Sequence, residues 1–185
     1  MPGKWIGAGW SLVQADLANS VLVTLVFVLV SCVPLIGGAL IAGFHYYFQK
    51  KLMGRPAEFA DLFKGFNFFV PTLVASILIG LFAGLGTLLC IIPGLVIAAM
   101  YKFTYLFIDD KRMDFWQAMQ ASHAVAKNDY FGFTMFLLLT VLVNLLGVLC
   151  CAVGLFVSIP VTFAAITIAY QEVVGFDPTT PDRLG

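Results

Sequence analysis

The sequence predicts an all-α, polytopic helical membrane protein. Six transmembrane segments form three hairpins turned by Pro and Gly, and a cytoplasmic interfacial amphipathic helix joins two of them. Three observations carry this reading. First, 61% of the 185 residues are hydrophobic and 11% charged, with a mean hydropathy of +0.99. A soluble domain carries roughly 25% charged residues, and one of this length could not hide so much apolar surface. Second, the charges are confined to joints between long apolar tracts. Third, each tract is broken near its middle by turn chemistry.

The tracts run from Leu17 to Gln49, from Gly65 to Tyr101 (to Ile108 if Lys102 is passed over) and from Tyr130 to Gln171, and apart from Lys102 none holds Asp, Glu, Lys or Arg. A crossing takes about 20 residues. The second and third tracts are each two crossings long. The first becomes two by taking in Ser11 to Asp16, with Asp16 near the interface. The breaks are Cys32-Val-Pro34-Leu-Ile-Gly37-Gly38, Gly84-Leu-Gly86 with Ile92-Pro93-Gly94, and Gly147 with Cys151-Ala-Val-Gly154. Pro interrupts helices and Gly supplies positive φ, so tight reversals fit. Kinks in three long helices fit equally well.

Charge placement decides between them. Three long helices would set Lys4, Lys111, Arg112 and Lys127 across the membrane from Lys50, Lys51, Arg55, Lys64 and Arg183, with no bias. Six spans put all of these on one side, as the positive-inside rule requires. The predicted spans are about 12–32, 36–49, 70–89, 93–108, 131–149 and 155–171, with a surface helix over 114–127. Residues 1–176 form one domain, 177–185 a flexible tail, and both termini are cytoplasmic. The first apolar run lacks a cleavage pattern and is expected to stay as a span.

The spacing suggests an internal repeat. Cys32, Cys90 and Cys150 stand 58 and 60 residues apart, Pro34 precedes Tyr46 by 12 residues, Pro93 precedes Tyr105 by 12, and Pro160 precedes Tyr170 by 10. Small residues such as Gly80, Gly84 and Gly86 suit close helix contact. Trp5 and Trp10 suit the headgroup layer. Lys50 to Phe69 mixes basic residues with five phenylalanines, the make-up of a chain lying on a membrane. Asp114 to Lys127 reads as a helix capped by Asp114 with Gln117, placing Phe115, Ala118, Met119, Ser122, Val125 and Ala126 on one face. Its plain role is a connector; its functional role would be a docking face.

Asp61-Leu-Phe-Lys-Gly-Phe66, Ile91-Ile-Pro-Gly-Leu95 followed by Tyr101, Ala118 through Ser122, and Pro160 through Tyr170 resemble a bacterial family of small integral membrane proteins of unknown function. That family is similar to the membrane domain attached to some glycerophosphodiester phosphodiesterases. The resemblance spans about residues 20–174 and implies a six-span helical domain in a bacterial cytoplasmic membrane. It transfers no catalytic residue. The very short first turn departs from the family, and no phosphodiesterase activity is expected of these residues.

Ionisable groups at membrane depth are costly and therefore candidates for function. Lys102, beside Tyr101, reads as a buried cation that binds a carboxylate or an anionic headgroup, or else as a lysine snorkelling to the interface. His45, with Tyr46 and Tyr47, titrates near neutrality if solvated, but such a cluster also serves as an aromatic belt. Asn144 suits an interhelical hydrogen bond or a pathway. Asp61 is the acid of the first joint. His123 is expected in solvent, and Asp109, Asp110 and Glu172 are expected to mark the water boundary. The four cysteines have no metal spacing and read as small apolar residues.

No H-E-x-x-H, phosphate-cradling Gly loop or G-x-S-x-G is present. No catalytic, cofactor or metal site is therefore expected. A formal net charge of zero argues against nucleic acid. The expected partners are membrane lipids, with a protein partner or a second copy beside them. The favoured function is a non-enzymatic scaffold or accessory that binds lipid headgroups or a partner at its cytoplasmic face. The alternative is a small oligomeric transporter or channel with Lys102, His45 or Asn144 lining a path.

Overall fold

In a computed structural model, residues 2–30, 36–89, 91–149 and 154–177 are described. Their elements are α1 (Pro2–Gln14), α2 (Leu17–Val30), α3 (Gly37–Leu52), a 3-10 helix η1 (Phe59–Phe68), α4 (Phe69–Leu89), α5 (Ile91–Met100), α6 (Thr104–Lys111), α7 (Phe115–Lys127), α8 (Tyr130–Leu149) and α9 (Leu155–Val173). All described regular structure is helical. Three helical runs are long and apolar enough to cross a membrane: Phe59–Leu88, α8 and α9. A fourth counts if α1 and α2, bent by 103°, are one broken span. Val70, Ile77, Leu81, Leu85 and Leu88 on α4, and Phe131, Leu138, Leu142, Leu145 and Leu149 on α8, are exposed. Water would not tolerate such faces; lipid does.

α4 packs antiparallel to α5 and α6. Phe82 stacks on Tyr101 at 6.4 Å, and the Ser76 and Tyr105 hydroxyls lie 3.0 Å apart. Gly86 and Gly94 allow the closest approach, since a Cβ on Gly86 would meet the Gly94 Cα at 3.1 Å. α8 and α9 are also antiparallel. A Cβ on Gly147 would meet the Ser158 side chain, and Asn144 bonds to α9. Phe27 stacks on Phe44 at 5.1 Å and Asp16 pairs with Lys51 at 3.2 Å, so α2 also runs against α3.

The charged joints meet at one end. Lys50 bonds Asp61 at 2.8 Å, Arg112 lies over Phe68, the Tyr170 hydroxyl donates to Asp110 at 3.0 Å, and Lys4 pairs with Glu172 at 2.7 Å. η1 is fastened to α3 by backbone contact. A Cβ on Gly43 would collide with the Leu62 carbonyl, and one on Gly65 with the Ala39 carbonyl.

Several expectations need correction. The first span, placed at 12–32, is interrupted by the bend at residues 15–16, and α1 packs as a separate helix on α9. Gly84, Gly86 and Gly147 lie inside helices rather than in turns. The span at 93–108 is broken at residues 101–103. The joint from Lys50 to Phe69 does not simply lie on a membrane, because Asp61, Leu62 and Gly65 are buried, although Phe59 and Phe63 are exposed. Asp114 takes the N-cap position of α7 without a side-chain cap bond. Asp109 and Asp110 are buried instead of marking water. Pro160 sits within α9, unlike Pro93 in the first turn of α5. The four cysteines, Pro34 and the tail from residue 178 lie outside the described residues.

Candidate functional site

The site is built on the break between α5 and α6. Residues 101–103 form a turn in which Lys102 N–H bonds Ala99 O at 3.2 Å and Thr104 N–H bonds Tyr101 O at 3.2 Å, both three residues back. A broken helix frees backbone groups that apolar surroundings cannot satisfy. Ser122 of α7 satisfies them: its hydroxyl donates to Met100 O at 2.6 Å and accepts from Phe103 N–H at 3.2 Å. α7 buries Ala118, Met119, Ser122 and Ala126, four residues of its predicted face.

The break turns Tyr101 and Lys102 into a cavity of about 230 Å³ lined by Ile41, His45, Ile79, Ala98, Tyr101, Lys102, Tyr105, Thr162, Phe163 and Ile166. Three of the five predicted residues (Lys102, His45, Tyr101) thus come together from α3 and the α5–α6 break. No carboxylate lines this cavity. Among the described residues none ion-pairs with the Lys102 ammonium. An unpaired ammonium against an apolar wall is costly and attracts an anion.

His45 is 2% exposed, its Nδ1 lies 2.9 Å from Thr167 Oγ1, and its ring sits 4.9 Å from Phe163. Tyr46 and Tyr47 are fully buried, so this cluster is core and not an interfacial belt. Asn144 is outside the cavity. Its Nδ2 donates to Thr140 O at 2.8 Å and to Thr162 Oγ1 at 2.9 Å, and its Oδ1 accepts from Ser158 at 3.0 Å. Thr162 links this clamp to the cavity wall. Asp61 is elsewhere, held by Lys50, by Lys64 at 3.6 Å and by Glu58 N–H at 2.8 Å. That arrangement is a structural knot.

Two features escaped the sequence reading. Tyr105, which the sequence marks only by its spacing from Pro93, lines the cavity; its position four residues after Tyr101 is the signal for it. Asp109 is fully buried, and neither of its oxygens has a hydrogen-bond partner among the described residues. Burial first, then the neighbouring Asp110 charge, raises its carboxyl well above the ordinary range, with Arg112 opposing. His123 is bonded to the Tyr130 hydroxyl at 3.0 Å. Among the described residues no group of three or more His, Cys, Asp or Glu could hold a metal ion.

Comparison with known proteins adds relatives without an assigned role. Uncharacterized proteins of Mycobacterium bovis and of two Mycobacterium tuberculosis strains are each 29% identical over 122 residues, covering 66% of this chain and 37% of their own length. The chain thus spans little more than a third of the curated relatives it matches. No family model and no solved structure matches it. The chain is a helical protein with apolar helices of membrane-spanning length, similar over two thirds of its sequence to uncharacterized mycobacterial proteins.

Proposed function

We propose that this is a non-enzymatic, multi-pass membrane protein that binds an anionic group, such as a lipid headgroup, at Lys102. The single observation that carries the reading is the ammonium without a carboxylate partner, set in a broken helix and facing an apolar cavity. Broken helices at binding sites are a recurrent device of membrane proteins, because they aim polar groups inward. The site sits among six segments in three hairpins with cytoplasmic termini. Antiparallel α2–α3, α4–α5/α6 and α8–α9 contacts and the gathering of charged joints at one end support that arrangement.

The test compares thermal melting in neutral detergent with added phosphatidic acid or phosphatidylcholine. Phosphatidic acid should stabilise the wild type and Lys102→Arg but not Lys102→Met. Equal stabilisation of all three defeats the proposal. The Thr162–Asn144 bond favours a second reading, a polar path continuing from the cavity between α8 and α9. Bilayer conductance abolished by both Lys102→Met and Asn144→Leu would favour it over simple binding.

A further inference from the structure

Tyr101 lines three hollows, and two of them bear on the ligand of Lys102. One is the Lys102 cavity; the other is a groove of about 330 Å³ formed with Phe82, Leu85, Gly86 and Ile97 between α4 and α5. The groove opens on the bare apolar face of α4, where Leu85 is 51% exposed. Gly86 lines it at the close contact of α4 with α5, where a Cβ would meet Ile97 Cδ1 at 2.7 Å and Gly94 Cα at 3.1 Å.

Building on the headgroup reading, we propose that the ligand is a membrane amphiphile whose anionic head sits at Lys102 and whose alkyl chain lies in this groove across Tyr101. A small soluble anion fits the chemistry less well. The cavity offers one ammonium and few hydroxyls, too few donors to replace the hydration shell of a free phosphate. An amphiphile keeps its chain in apolar surroundings throughout and surrenders only part of the head's hydration. Charge selects the head, and the Tyr101 wall shared by cavity and groove places the chain.

The experiment uses the full chain in phosphatidylcholine nanodiscs and a dodecyl phosphate carrying a diazirine at mid-chain. After photolysis, labelled peptides are mapped by mass spectrometry. Labels should concentrate between residues 82 and 97 and be displaced by unlabelled dodecyl phosphate. Leu85→Trp, which fills the groove, should cut labelling about three- to tenfold, the scale of packing contacts in lipid. Ile97→Trp serves as a second filling variant, each judged beside its own melting curve. Labels spread evenly over α4 and α8 and unaffected by competitor overturn the inference. If Lys102→Met loses dodecyl phosphate while labels never favour the groove, only this inference fails. If Lys102→Met and Lys102→Arg both bind dodecyl phosphate like the wild type, the headgroup reading fails with it.

Discussion

Ser122 donates a 2.6 Å hydrogen bond to the carbonyl of Met100, so a helix from the next joint holds open the break that carries Lys102. Ser122→Ala removes the acceptor for Phe103 N–H as well. Both backbone groups lose this partner, at about 1–3 kcal/mol each if left unsatisfied in apolar surroundings. The melting temperature should drop, and stabilisation by phosphatidic acid should weaken with it. An unchanged melt would mean that the break closes without Ser122.

Lys102→Met should act in opposite directions on the empty and loaded protein. Removing an unpaired ammonium from an apolar site relieves up to about 3 kcal/mol. The unliganded variant should therefore unfold later in urea with detergent than the wild type, while losing its response to anionic lipid. A destabilised variant would show that the lysine has a structural partner.

Gly43→Ala should destabilise by about 1–3 kcal/mol, as overpacking does, because the Leu62 carbonyl occupies the space. Gly80→Ala is the control: nothing lies within 4 Å of that position. Helix propensity there favours alanine by up to about 1 kcal/mol. Equal melting curves for the two variants would contradict the packing of η1 on α3.

Asp109 predicts the direction of a pH effect. Its carboxyl titrates higher in the folded chain than the ordinary value of about 3.9. The folded state holds the proton more tightly than the unfolded one. Its contribution to stability is therefore full below pH about 4, declines as pH rises toward the raised folded value, and is gone above it. Asp109→Asn should flatten this decline and raise stability at neutral pH. A parallel loss of stability in both proteins would assign the effect to another group.

The helices α3, α4, α8 and α9 were legible because uncharged tracts bounded by lysines and aspartates set their lengths. The buried face of α7 was legible from helical spacing. The break at residues 101–103 was not. Met100-Tyr-Lys-Phe-Thr104 contains neither Gly nor Pro, and the cause is a hydroxyl some twenty residues away. Lys102 and His45 could each be singled out by the cost of their charge. That they share a cavity depends on how α3, α6 and α9 pack, which hydropathy does not encode. The separate α1 was hidden because Trp5 and Trp10 read as interface anchors. Trp5 in fact donates to Glu172 at 2.6 Å and meets Phe136 edge-on.

That same contact constrains how the protein is made. α1 leaves the ribosome well before α9, yet its seat is on α9, where Lys4 and Trp5 grip Glu172 and the Val161 carbonyl lies against Gly9. Chains emerge at about 5–20 residues per second. α1 therefore waits several seconds without its partner while the intervening segments are made. The α1–α9 contact can therefore close only after α9 has been made, and it forms late in the assembly of these helices.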